Sequence, residues 1–378
     1  METEKKVEYI ELIYDLIFVY IIGRNNQLLH VMENGFIDPG SFLTYVLASL
    51  IVLQIWYYTT LFINRFGEND KRMHIAIFVN MYLLYFMARG IRVNWQKEFY
   101  SFSGAWLLIL LNIALQYFIQ LKKTEKAKPW ESEQIKISLR TILIQAGIIA
   151  VSFPIFSVTG IPVSPLAVVF GILTVIAGSR VRILVPVDFP HLTERVMLYV
   201  VFSFGEMIIA ITDYFEGGWN LSTVYFSLCA FLIVAGLLSS YGVLYNSLID
   251  RNTVTNGTAY MMLHVFLILS LNFITAALEF MRKETVSDLP KNLFLIFSFA
   301  LYFIMTYLIT RFNKEKYRRN KKGSLLFFAG MGTFVLIMIL CYRTPAVSIA
   351  VTAVYIWAVF VSLICFSRRG HARKQAAP

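Results

Sequence analysis

The sequence predicts an all-α fold, a polytopic transmembrane helix bundle of about twelve spans, and three observations predict it. The composition is 58% hydrophobic and 16% aromatic with only 15% charged residues, at a mean hydropathy of +0.64, more apolar surface than a soluble core of 378 residues buries. The apolar residues gather in runs of about 20, the length at which a helix crosses the hydrocarbon core. The Lys and Arg residues collect in the connections between alternate runs, the pattern that sets orientation in a membrane.

The first run, 10–32, is apolar at Leu12, Ile13, Leu16, Ile17, Phe18, Val19, Ile21 and Ile22 but also holds Glu11, Asp15 and Arg24. No small-residue cleavage pattern follows it, so it reads as a retained helix and not as a signal peptide. Runs 41–63, 73–92 and 101–121 come next, with three basic residues in the connection Arg65 to Arg72 and three more at Arg89, Arg92 and Lys97. Run 137–157 follows a connection holding six basic residues from Lys122 to Arg140. Run 163–184 is separated from it by "SVTGIPVSP", and Pro154, Pro162 and Pro165 predict a helical hairpin there. The remaining runs are 195–214, 220–248, 255–279, 292–311, 323–341 and 345–366, with seven basic residues from Arg311 to Lys322 and four in the tail from Arg368 to Lys374. With a cytoplasmic N-terminus, 26 of the 34 basic residues lie inside and seven outside, Arg24 being within the first span. This bias predicts a multi-pass protein of the plasma (cell) membrane with both termini cytoplasmic.

The same reading excludes several chemistries. Lys and Arg outnumber Asp and Glu by 34 to 23, but because they sit in short loops the expected partner is the lipid bilayer with its anionic inner leaflet, and not nucleic acid. Cys229, Cys341 and Cys365 lie in apolar stretches without CxxC or Cys/His spacing, which points to neither disulfides nor zinc. Every Lys falls in a loop or terminus, which excludes a retinal Schiff base, and GxxxxGK[ST] and GxGxxG are both missing. His30, His74, His191 and His264 sit singly or near helix ends and His371 lies in the basic tail, so no haem or metal set converges. A membrane-embedded hydrolase using Glu194 with His191 is conceivable, but no nucleophile motif supports it. The expectation is no catalytic residue, no metal, no cofactor and no enzymatic activity.

Several features recur at an offset of about 190 residues: "YDLIF" at Asp15 against "GEMII" at Glu206, "INR" at 63–65 against "IDR" at 249–251, "MH" at 73–74 against "LH" at 263–264, and the basic loops at Lys122 and Lys316. They suggest an internal repeat, with 1–190 and 191–378 as two parallel six-helix halves of one integral membrane domain. The charges inside the spans then come one set per half. Glu11 and Asp15 are four residues apart and Asn26 is eleven beyond Asp15, which at about 100° per residue places them on one stripe with Arg24 on the opposite face. Arg195, Glu206 and Asp213 form a similar stripe in the seventh helix. Each carboxylate either sits in a structural ion pair or lines a path for an ion, the default expectation for ionisable residues in a membrane.

Two segments carry a resemblance. "IELIYDLIFVYIIGRNNQLLH", residues 10–30, and "HLTERVMLYVVFSFGEMIIAI", residues 191–211, resemble the hallmark segments of the bacterial low temperature requirement protein A family, a first helix of the type E-L-F-x-D-L-x-F-V and an H-x-x-E-R helix running into G-E-x-I-x-A-I. The pattern falls on Glu11, Leu12, Asp15, Phe18 and Val19, then on His191, Glu194, Arg195, Gly205, Glu206, Ile208, Ala210 and Ile211; His264 and Glu279 are similar to a third segment. Phe204 stands where members often have tryptophan or a small residue, and Arg24 to Gln27 is more polar than the usual first helix. The resemblance implies a polytopic membrane domain and carries no settled biochemical activity. The function expected is a transporter or channel for an ion or small solute using Glu11, Asp15, Asn26, Arg195, Glu206 and Asp213; the alternative is a non-transporting sensor or assembly factor for cold or stress adaptation. Against the alternative, the largest cytoplasmic loop, from Lys122 to Ile137, is only about 15 residues long, too short for a soluble output domain.

Overall fold

The computed structural model describes residues 5–90, 95–124, 129–178, 185–215, 218–318 and 321–375. Helices dominate: α1 (Tyr9–Asn25), α2 (Pro39–Phe66), α3 (Lys71–Gly90), α4 (Trp95–Thr124), α5 (Pro129–Thr159), α6 (Pro165–Gly178), α7 (Phe189–Ala210), α8 (Leu221–Val243), α9 (Thr258–Arg282), α10 (Asp288–Ile309), α11 (Lys321–Leu340) and α12 (Pro345–Gln375). Among the described residues, nine helices are long and apolar enough to cross a membrane. A two-stranded hairpin, β1 (Met32–Glu33) and β2 (Phe36–Ile37), turns at Asn34 and Gly35, whose φ of 51° and 81° are the left-handed pair that an Asn-Gly hairpin turn requires.

Two expectations change here. The run 163–184 becomes α6 of 14 residues, about 21 Å at 1.5 Å per residue and short of the hydrocarbon core; residues 179–184 lie outside the described residues. Pro154 does not start the preceding turn, because α5 continues through it to Thr159 and the chain turns at Gly160, with φ 70°. Proline is tolerated there although it removes an N–H from the ladder, and neighbouring carbonyls are taken up by serines: Ser152 Oγ donates to Ile149 O at 2.6 Å and Ser157 Oγ to Pro154 O at 2.9 Å.

The chain divides into two compact units. The first comprises residues 1–31, 37–199 and 252–262, the second 32–36, 200–251 and 263–378, so that α7 and α9 each begin in the first unit and end in the second. In the first unit α2 is the central helix, buried on nearly every face between Ile51 and Asn64, as an all-round apolar helix must be. Asp38 caps its start by accepting from Ser41 N at 2.7 Å, and Lys5 Nζ closes its end by donating to Ile63 O at 2.6 Å and Gly67 O at 3.0 Å. Helix α1 packs on α2 and α3, and α3 to α6 pack in chain order. Gln145 on α5 donates to Gln54 Oε1 at 3.2 Å, and α6 comes so close at Gly171 that a Cβ there would lie 1.8 Å from Gln145 Nε2. In the second unit α8 runs against α12, with Trp357 Nε1 donating to Leu232 O at 3.0 Å. Most of the part of α9 in this unit is buried.

Candidate functional site

Two helix starts build the polar centre of the first unit. Glu8 precedes α1 in extended conformation, so Glu11 and Asp15 fall in successive turns on one buried face. Asp188 precedes α7 and accepts from His191 N at 3.1 Å, so His191 and Arg195, again four apart, share a face. The two pairs meet. Arg195 donates from Nε to Asp15 Oδ2 at 3.1 Å and from Nη2 to Asp15 Oδ1 at 2.9 Å, a two-point fork, while Nη1 reaches Glu11 Oε2 at 2.7 Å. All three side chains are withdrawn from solvent. A guanidinium is the cation suited to this place, since its planar donors satisfy two carboxylates at once.

Helix α2 orients the cluster from the side. Trp56 Nε1 donates to Asp15 Oδ1 at 2.8 Å. Asn64 holds the start of α7: its Nδ2 donates to Asp188 O at 2.9 Å and its Oδ1 accepts from Asp188 N at 2.9 Å. That amide orientation makes Asn64 Nδ2 the donor to His191 Nδ1, 3.0 Å away, so a neutral His191 carries its proton on Nε2, which lies 3.4 Å from Glu11 Oε1. Polar contacts continue outward: Tyr14 meets Thr59 Oγ1 at 3.2 Å, Asn80 Nδ2 donates to Tyr14 Oη at 3.3 Å, and Asn112 Nδ2 to Asn80 Oδ1 at 2.8 Å. Beside Glu11 lies a cleft of about 380 Å³ that Lys5, Lys6 and Glu8 also line. Burial pushes the Lys5 ammonium below its ordinary value, while the negative fields of Glu11 and Asp188 act against that fall. Two carboxylates thus face one guanidinium, with Lys5 supplying further positive field.

The charges of the second unit are arranged otherwise. Glu206 is half-buried in α7, and among the described residues its carboxylate has no hydrogen-bond or ion-pair partner. A Cβ on the preceding Gly205 would meet nothing within 4 Å. His264 is buried with its Nε2 3.2 Å from Tyr241 Oη, and Glu279 is paired with Lys283 at 2.5 Å, one turn on.

The two predicted stripes fare differently where the α-helix ends. Helix α1 stops at Asn25, and Asn26, its C-cap in αR conformation with its N–H still reaching Ile22 O, stays in the register of Glu11 and Asp15 while beginning a 3₁₀ turn. Helix α7 stops at Ala210, and Asp213 is exposed in a 3₁₀ turn whose backbone is braced by Arg282 Nη2 at 3.2 Å from Asp213 O. The spacing of 100° per residue holds only inside one continuous helix. Arg24 is exposed, as its place opposite Asp15 requires. Glu194 is half-buried, and the partners of His191 are Asn64 and Glu11. Trp56, Asn64, Asp188 and Lys5 were not singled out from the sequence as part of a site, although Asn64 belongs to the repeated "INR" segment. Among the described residues no three His, Cys, Asp or Glu side chains converge as a metal site needs.

The cluster joins residues of both hallmark segments, Glu11 and Asp15 of the first to His191 and Arg195 of the second. No curated protein and no solved structure matches the chain. The sequence model described as "Bacterial low temperature requirement A protein (LtrA)" matches residues 6–362; the chain therefore belongs to the bacterial low temperature requirement A family, and is a multi-pass membrane protein of that family.

Proposed function

We propose that the protein is a transporter or channel for an ion or small solute in which the intramembrane carboxylates divide the work. Glu206 is the group that takes up and releases a proton or cation, while Glu11, Asp15 and Arg195 hold α1, α2 and the start of α7 together. The observation that carries this reading is Glu206 itself, a carboxylate inside an apolar helix without a partner among the described residues. An ionisable group in such a place is costly to insert and is kept for ion or proton traffic by default. Asn26 and Asp213, each placed in a 3₁₀ turn, have no assigned part in this step. The reading includes no enzymatic step.

The topology that goes with it is twelve spans, α6 being counted as the sixth although its described residues fall short of the hydrocarbon core, with both termini cytoplasmic, supported by the distribution of basic residues, and two six-helix repeats, supported by the offset near 190. Reporter fusions active only outside should light up after Asn34 and after Gly217 and stay silent after Lys126 and at the C-terminus. The opposite pattern at any site overturns the charge argument. For function, the purified protein in liposomes should carry a pH-dependent flux of a monovalent cation or a proton, and Glu206→Gln should remove it. Full flux in Glu206→Gln overturns the role of Glu206, and no flux in the wild type under a proton or cation gradient favours the non-transporting sensor.

A further inference from the structure

A second arginine of the first unit, half-buried, has no carboxylate partner among the described residues. Arg65, in the last turn of α2, lines a cavity of about 140 Å³. It donates from Nη2 to Asn256 O at 2.8 Å. Its Nε is buried without a hydrogen-bond partner, and it has no ion-pair partner among the described residues. Among the described residues no Asp or Glu lines the cavity, and Arg65 is the one charged residue of its lining. The contrast with Arg195, which answers two carboxylates, is direct. A cation withdrawn from water and left uncompensated is unfavourable, and among the described residues the cavity lacks the negative group that Arg65 calls for.

The walls specify what kind. Tyr57, Tyr58, Tyr117, Ser138, Thr141 and Thr258 line the same space; Tyr57 Oη donates to Thr258 Oγ1 at 3.3 Å and Thr141 Oγ1 to Ile137 O at 3.0 Å, while the buried Tyr58 hydroxyl has no hydrogen-bond partner among the described residues. The unpartnered Nε–H of a guanidinium together with an unpartnered tyrosine hydroxyl fits the oxygens of an oxyanion better than a halide, because the two offer directed donors. The volume is well below the ~300–1,000 Å³ of pockets that enclose drug-sized ligands, which suits a single small group. We propose that this cavity is an oxyanion site, taking the phosphate group of inorganic phosphate or of a lipid headgroup, with Arg65 as its anchor. The proposal is independent of the role given to Glu206.

The test uses the full-length protein in detergent, with thermal stability and calorimetric binding as readouts. Inorganic phosphate and dihexanoyl phosphatidic acid are titrated separately, with chloride as the control. Because Arg65 also holds the Asn256 carbonyl, Arg65→Gln is paired with Thr141→Leu, which fills the cavity and leaves the arginine in place. A rise in stability with phosphate, weakened at least tenfold in both variants, supports a site for the free ion. The same pattern with the short-chain lipid alone supports a headgroup site. Should neither probe bind, or should Thr141→Leu bind as well as the wild type, the proposal fails.

Discussion

The two carboxylate sets of this protein look alike on a helical wheel and differ in three dimensions. In the first unit Glu11 and Asp15 are closed around Arg195, with Trp56 fixing one carboxylate oxygen of Asp15 and His191 beside Glu11. In the second unit Glu206 stands without a partner among the described residues. The difference teaches that an acidic residue in an apolar helix is not one kind of feature. Where a guanidinium bridges two carboxylates, the charge is spent on joining helices; where none arrives, the proposal is that the carboxylate exchanges protons or cations.

The comparison breaks most severely if the arginine is removed. Arg195→Met leaves Glu11 and Asp15 buried together without a cation and should destabilise the protein by about 3–5 kcal/mol, read as a large fall in midpoint temperature or as failure to insert. An unchanged midpoint would show that the pair is not buried as described. Asp15→Asn is milder, because Arg195 keeps Glu11 at 2.7 Å and charges then balance one to one. Losing the two-point charged contact should cost about 1.5–3 kcal/mol. Trp56→Phe removes only one donor from Asp15 Oδ1, which Arg195 still satisfies, and should cost about 0.5–1.5 kcal/mol. A cost for Trp56→Phe exceeding that for Arg195→Met would reverse the assigned order.

Much of this was legible in the chain. Apolar runs and basic loops located the helices, and the four-residue spacing put Glu11 with Asp15 on one face. The partner of Asp15 was harder, since Arg195 lies 180 residues away, and periodicity within a helix says which residues share a face but not which helix that face meets. It grouped Arg195 with Glu206 and Asp213, whereas α7 passes from one compact unit to the other after Tyr199 and ends before Asp213. Asn64 and Arg65 were visible only as part of "INR", the first set against Asp250 of "IDR" and the second as a repeated letter and a topology charge. Their roles arise from Asp188, His191 and Asn256, contacts that no local pattern encodes. Pro154 misled because proline ends most helices, and here serine hydroxyls serve carbonyls on either side of it.

The most direct test of the division of labour measures flux and thermal stability on the same preparation of Glu206→Gln. The substitution keeps shape and removes ionisation, and with no partner among the described residues to strand it should move stability by no more than about 0.5 kcal/mol. The account predicts a protein as stable as the wild type that no longer carries pH-dependent flux. A variant that keeps full flux, or one that loses stability as Arg195→Met does, contradicts it.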